Sequence, residues 1–168
     1  MELVDQLKND GIAKGLCNEW QNKLKPGVSM ERLVKLFIRG IDFCVKNDFP
    51  TLDFMRNNFK GKCEPYGAYV DDVFASENIP DVVLNGECDA KLTYSGYTVS
   101  RVVIRHSSKA NITIYGHSCV TIDVFDNGKL DLVTVGTRCK VIVYQYGNSI
   151  VNYGGTCAKI INKNKNSY

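Results

Sequence analysis

The chain has 168 residues, of which 44% are hydrophobic and 23% are charged, and its formal net charge is +3. This length is enough to bury a sizeable core, and this hydrophobic fraction excludes a disordered chain. No apolar run approaches the ~20 residues of a membrane span, and no secretory signal pattern is present, so we expect a cytoplasmic protein without membrane partners.

Seven cysteines are present, which is an odd number, and none of them forms a CxxC pair. This usage is typical of reduced thiols in a cytosolic compartment, where disulfides are rare. Free cysteine often packs as a small hydrophobic residue. We therefore expect packing thiols rather than a redox or zinc site.

Helical spacing runs through the first part of the chain. Ser29 is a good helix N-cap, and apolar residues follow it at helical spacing over four turns. They are Met30, Leu33, Val34, Phe37, Ile38, Ile41, Cys44 and Val45. Pro50 blocks continuation, and Thr51 can cap a further short helix. These signals predict a helical N-terminal region over residues 1–60, followed by a connector over 61–80.

Beyond the connector, which has one short strand pattern at Ala68–Val70, apolar residues alternate with polar ones. These runs repeat every 20 residues. The repeat aligns four apolar columns without an insertion: Val82, Val102, Ile122 and Ile142; Leu84, Ile104, Val124 and Tyr144; Ala90, Ala110, Leu130 and Ile150; Leu92, Ile112 and Leu132. Cys119 and Cys139 share the spacing, which predicts that they are neighbours in the interior.

The repeat predicts an α+β protein in which the helical region precedes a short parallel β-solenoid. The solenoid would have about four coils over residues 81–160, and a flexible tail over 161–168 would follow. The alternative is an antiparallel β-sandwich or jelly roll, with hairpins at turns such as Asp126-Asn127-Gly128. The solenoid is favoured because only a coil requires similarity at a spacing of 20 rather than 10 residues.

Motifs for catalysis are missing from the sequence. It has no nucleophile elbow, zinc-protease motif, phosphate-binding loop or dinucleotide fingerprint. His106 and His117 are its only histidines and fit no metal-ligand spacing. Coils of constant length also leave no loop to form the wall of a cleft. We therefore expect no catalytic residues, no cofactor and no bound metal, and hence no enzyme.

Two surfaces of the predicted solenoid are candidates for binding. Residues 84–168 hold 10 basic and 5 acidic residues. A small positive surface able to stack on bases or ligands would comprise Arg101, Arg105, Lys109 and Tyr115. Outward apolar residues, which often mark contacts with other proteins, would comprise Val103, Phe125 and Val143.

Several short phrases of the sequence resemble those of one group of proteins. The phrases are Gly15-Leu16-Cys17 with Trp20-Gln21, Gly40-Ile41-Asp42-Phe43-Cys44, Pro50 to Phe54, Glu64-Pro65-Tyr66-Gly67 and Val143-Tyr144-Gln145-Tyr146-Gly147. Together they resemble uncharacterised small proteins of gut bacteria and their phages or mobile elements. The resemblance implies a bacterial or phage cytosolic setting and carries over no functional residue.

These observations together favour a non-enzymatic role. We expect a structural or protein-interaction module, such as an accessory protein of a phage or mobile element, with a protein partner or a second copy as its ligand. The alternative is a protein that binds nucleic acid or carbohydrate on the outer face of the solenoid.

Overall fold

The computed structural model describes residues 3–168 and divides the chain into two units. The helical unit extends to Tyr66, and the strand unit covers Gly67–Ser167. The described part of the helical unit contains α1 (Leu3–Ala13), α2 (Asn18–Gln21), α3 (Met30–Arg39), α4 (Ile41–Asn47) and α5 (Leu52–Asn58). A short 3-10 turn, Glu64–Tyr66, closes this unit.

The predicted helix starts are present in the structure. The Ser29 side chain accepts a hydrogen bond from the Arg32 backbone N–H at 3.2 Å and so caps α3. Thr51 caps α5 in the same way. The four-turn helix predicted after Ser29 is instead broken at Gly40 into α3 and α4, because glycine is a poor helix former and its backbone turns away from helical geometry here.

The strand unit consists of two parallel sheets whose strands alternate along the chain. The six-stranded sheet contains β1 (Ala68–Val70), β3 (Asp81–Asn85), β5 (Val99–Ile104), β7 (Cys119–Val124), β9 (Lys140–Gln145) and β11 (Ala158–Asn162). The five-stranded sheet contains β2 (Val73–Glu77), β4 (Asp89–Tyr94), β6 (Lys109–Tyr115), β8 (Lys129–Val135) and β10 (Ile150–Gly154). Every strand pair is parallel, which confirms the predicted α+β fold with a β-solenoid. The antiparallel sandwich is therefore wrong.

The core lies between the two sheets and is built of columns of like residues. In the six-stranded sheet, Val82 pairs with Val102, which pairs in turn with Ile122. In the five-stranded sheet, Leu92, Ile112 and Leu132 are related in the same way. All of these side chains are buried in one cluster. Neighbouring parallel strands lie ~4.8 Å apart, so each coil covers the apolar side chains of the next.

The register of the repeat changes by one residue in its last full coil. Cys119 pairs with Lys140, so Ile122 pairs with Val143 rather than with Ile142. Side chains alternate between the faces of a strand, so this shift turns Val143 inward and leaves Ile142 outside with an exposed fraction of 38%. The prediction of constant 20-residue coils is wrong here, because an extra residue lies in the turn after β8.

The same shift separates the two cysteines that were predicted to be interior neighbours. Cys139 is buried in the core, whereas Cys119 is half-buried and pairs with Lys140. All seven cysteines are free thiols.

The solenoid extends beyond both of its predicted limits. Residues 61–80, predicted as a connector, supply β1 and β2, because Ala68 and Val70 are buried against the next coil. At the other end, the predicted flexible tail continues the fold: the Lys163 N–H donates to the Gln145 carbonyl, and the Lys165 carbonyl accepts from the Gly147 N–H.

Two columns of left-handed residues form the corners of the coils. At the first corner they are Asp71, Gly86, His106, Asp126, Gly147 and Asn164, and at the second they are Asn78, Gly96, Gly116, Gly136 and Gly155. Polar corner side chains bond to the neighbouring coil. His106 Nδ1 accepts from the Gly86 N–H at 3.0 Å, and Asp126 Oδ2 accepts from the His106 N–H at 2.9 Å. These bonds offset the cost of a left-handed backbone in a residue other than glycine.

The register shift predicts a large effect for one substitution and a small effect for the same substitution at the neighbouring residue. Val143→Asp buries a charge in the core and should lower the free energy of unfolding by more than ~3 kcal/mol or prevent folding. Ile142→Asp places the same charge in solvent and should change that free energy by less than ~1 kcal/mol. Urea unfolding followed by circular dichroism measures both. A larger loss for Ile142→Asp would contradict the register.

The corner bonds predict that Asp126→Ala destabilises the protein more than Asp126→Asn does. Asp126→Ala removes the acceptor of the His106 N–H and strains the left-handed backbone, so it should destabilise the protein by about 1–3 kcal/mol. Asp126→Asn keeps an acceptor oxygen and tolerates this backbone, so its effect should stay below ~1 kcal/mol. Thermal unfolding of the two variants compares them directly, and equal losses would refute the role of the side chain.

Candidate functional surface at the open end of the solenoid

The four residues predicted to form one positive surface lie on different sides of the solenoid. Arg101 lies in β5 of the six-stranded sheet and Arg105 directly follows that strand, whereas Lys109 and Tyr115 belong to β6 in the five-stranded sheet. Arg105 is only 2% exposed, and Arg101 pairs with the buried Asp123 carboxylate at 3.3 Å. Lys109 and Tyr115 are exposed. The predicted surface is therefore wrong, because residue spacing does not reveal which of the two sheets a strand joins.

The predicted apolar interaction residues are not exposed either. Val143 points into the core because of the register shift. Val103 and Phe125 lie outside the core cluster but are also buried, and the Phe125 ring stacks on Tyr146 at 4.3 Å. Alternation along a strand identifies its outer face but not whether solvent reaches that face.

Two buried thiols and the buried Tyr146 have raised pKa values. Burial raises the pKa of the Cys88 thiol. Burial, together with a hydrogen bond and charge interaction with Cys157, raises the pKa of Cys139 to about 11. Burial is the main reason why the pKa of Tyr146 is raised, and the negative charge of Asp123 raises it further. A raised thiol pKa lowers the thiolate fraction, and the thiolate is the reactive form of cysteine.

The histidines have structural surroundings. His106 is a corner residue that accepts a backbone hydrogen bond, and the exposed His117 stacks on Tyr97 with a centroid distance of 4.7 Å. Across residues 3–168, no group of three or more His, Cys, Asp or Glu side chains is arranged to hold a metal ion.

The C-terminal end of the solenoid has open strand edges. Strands β10 and β11 are the last strands of their sheets, and among the described residues no further strand pairs with them. At the two ends of β11, the flanking Cys157 carbonyl and Lys163 N–H bond to β9. Backbone groups alternate in direction along a strand, so the N–H and C=O of Ile160 point to the open side. This edge is a template for another strand.

One outward N–H of this edge is already satisfied within the chain. The Tyr153 hydroxyl accepts a hydrogen bond from the Ala158 N–H at 2.9 Å and lies 3.0 Å from Thr134 Oγ1. The free part of the β11 edge is therefore centred on Ile160.

The last layer of the core is also open. Val151 and Tyr153 of β10, with Ala158 and Ile160 of β11, continue the interior columns of the preceding coil. Ile160 is 40% exposed, whereas its interior partner Val143 is fully buried. An apolar residue at an interior position thus faces solvent, because no further coil within residues 3–168 covers it.

Charge is distributed unevenly along the solenoid. Residues 67–98 contain six acidic residues and one basic residue. Residues 137–168 contain five basic residues and no acidic one, and all five are exposed: Arg138, Lys140, Lys159, Lys163 and Lys165. We call the open edges, the uncovered core layer and these five cations the basic open end. The sequence predicted a flexible tail over residues 161–168, so it did not place Lys163 and Lys165 beside a strand edge.

Comparison with known proteins gives no identification. No family model, curated protein or solved structure matches the chain. Within the part of the chain that the structure describes, no helix is long and apolar enough to cross a membrane. The resemblance to proteins of gut bacteria and phages therefore stays a prediction, and the geometry of the basic open end is the basis for function.

Proposed function

We propose that the protein is a non-enzymatic interaction module that binds an acidic, extended segment of a partner protein at its basic open end. The observation that carries this proposal is the exposure of Ile160 at an interior position of the solenoid. An uncovered core layer beside an unpaired strand edge forms a site for one more strand.

Addition of a strand explains how such a segment would bind. Its backbone would pair with the outward N–H and C=O of Ile160, and alternate apolar side chains would cover Ile160 and Ala158. The remaining side chains of the segment would point outward beside Lys159, where carboxylates are favoured. Backbone pairing would supply affinity, and the alternation of apolar and acidic residues would supply specificity.

Charge favours a different protein over a second copy. A symmetric contact between two basic open ends would bring five cations of one copy towards five of the other, and like charges across an interface cost binding energy. Exposed lysines on an edge strand are also a common means of preventing self-pairing. Binding of a second copy, which the sequence analysis gave as one possible ligand, is therefore the weaker form of the proposal.

Nucleic acid is a second candidate because the same five cations could contact phosphates. A nucleic acid, however, has neither a backbone to pair with β11 nor alternating apolar groups to cover Ile160. The original candidates for nucleic-acid or carbohydrate binding, Arg101 and Arg105, are ion-paired and buried respectively. The exposed Lys109 and Tyr115, which were predicted for the same surface, and the cations of the basic open end remain as support for this alternative.

Binding of a model segment tests the proposal. The probe is a fluorescein-labelled decapeptide of alternating valine and glutamate, measured by fluorescence anisotropy. We expect saturable binding to the whole chain that weakens with added salt. Ile160→Pro removes an outward N–H without removing a bond to β9, and proline is tolerated at such edge positions, so the variant should fold and bind at least about tenfold more weakly.

Matched controls separate the possible outcomes. Ala75→Pro also removes an outward N–H, but in β2. The N–H of Asn78, which follows β2, bonds to β4, so by alternation along the strand the Ala75 N–H points away from β4. This variant should leave binding unchanged. The double variant Lys159→Glu, Lys163→Glu should weaken binding without altering the edge. Absence of peptide binding, or equal binding by Ile160→Pro, refutes the proposal.

Two further measurements test the alternatives directly. Competition by a single-stranded oligonucleotide that is as effective as unlabelled peptide would replace the proposal with nucleic-acid binding. If sedimentation velocity shows dimers that form with increasing concentration and are lost in Ile160→Pro, self-association would replace the binding of a separate partner as the function. A monomer at all concentrations supports a separate partner.

A cytoplasmic accessory role in a bacterium or phage forms the broader part of this proposal. It is supported by the resemblance of the sequence phrases and by seven free cysteines, which suit a reducing compartment. Conserved gene neighbours would test it, and a neighbour that encodes an acidic, strand-forming segment would be the natural partner.

A further inference from the structure

The helical unit contains a cavity that the proposed function does not use. Its volume is about 360 Å³, and it lies entirely among residues 7–59. The lining is made mostly of aliphatic and aromatic side chains, among them Leu7, Leu16, Trp20, Leu36, Phe43 and Phe49. Ligand pockets in proteins are typically of this size and character.

Two glycines allow close packing of side chains that line the cavity. Gly40 allows the Trp20 ring to approach, because a Cβ at this position would lie 3.3 Å from two of its ring atoms. At Gly11, a Cβ would lie 2.9 Å from Leu16 Cδ2 and 3.3 Å from the Phe49 ring. Glycine at these two positions therefore lets Trp20, Leu16 and Phe49, which line the cavity, pack closely against the neighbouring backbone.

The charges at the cavity indicate an uncharged ligand. Its charged lining residues are Arg39 and Asp42, which have opposite signs and are both exposed. The nearby Lys23 lies over the Trp20 ring at 4.4 Å and pairs with Glu19 at 2.7 Å. Neither sign of charge is in excess, so the lining offers no preference for an ion.

The volume sets the size of the ligand. A water molecule, which has one non-hydrogen atom, takes up ~30 Å³ in the liquid. At a similar volume for each non-hydrogen atom of a ligand, the cavity holds roughly a dozen such atoms. We propose that the helical unit binds a small, uncharged and mostly apolar molecule of this size, such as a medium-length alkyl chain or a bicyclic aromatic compound. This inference is independent of the basic open end, because its residues all belong to the helical unit.

Trp20 allows a direct test because it is the only tryptophan of the chain and lines the cavity. The intrinsic fluorescence of the whole protein is titrated with decanol, butanol and sodium decanoate. We expect a saturable change with decanol, at least about tenfold weaker binding of butanol, and weaker binding of decanoate, since Asp42 balances the Arg39 charge and a buried carboxylate would be desolvated. No saturable change with decanol, or equal affinity for decanoate, would overturn the proposal.

Two substitutions on α3 separate binding in the cavity from adsorption to the surface. Leu36→Phe places a larger side chain in the lining, whereas Ile38→Phe adds a ring on the same helix at a residue that does not line the cavity. We expect at least a tenfold loss of decanol affinity for Leu36→Phe and no loss for Ile38→Phe. Equal affinities for both variants would refute the cavity as the site.

A third variant serves if Leu36→Phe fails to fold. Phe43→Ala removes a half-buried ring from the lining and enlarges the space. It should shift the preference towards alcohols longer than decanol, and an unchanged preference would also contradict the proposal. Peptide binding at the basic open end is measured in parallel, so failure of one proposal is distinguishable from failure of the other.

Discussion

The parallel ladder between successive coils is the interaction on which the strand unit depends. Each strand pairs with the equivalent strand one coil away, so like residues such as Val102 and Ile122 stack in the interior and cover one another. No coil is stable without a neighbour on which to bury its apolar side. The same rule explains the C-terminal end, where the ladder stops at β11 while Ile160 still occupies an interior position.

The ladder also explains which features could be predicted from the sequence. The apolar residues of each column recur at one constant spacing. This indicated parallel coils, because residues that are one coil length apart stack on each other. Ile142 and Val143 show the limit of this reasoning: the run from Val141 to Val143 is apolar at every position, so both registers satisfy the pattern. Only the pairing of Cys119 with Lys140 decides between them.

The candidate sites were less predictable than the fold for a related reason. Outward positions were identified by alternation, but the burial of Arg105 and Phe125 depends on three-dimensional packing that no periodic pattern records. The basic open end combines a strand edge, a core layer and charges from residues 138–165, and it becomes visible only once the tail is placed on the last coil. The cavity beside Trp20 likewise depends on how separate helices pack.

Hydrogen exchange of individual amides in β11 tests the central claim, which is that this strand has an open edge able to accept another strand. The Ile161 N–H faces β9, whereas the Ile160 N–H faces outward. We expect fast exchange at Ile160 and slow exchange at Ile161 in the free protein, and we expect the Ile160 N–H to become protected when the acidic decapeptide is bound. Equal protection of the two amides in the free protein, or no change at Ile160 on addition of the peptide, would contradict this claim.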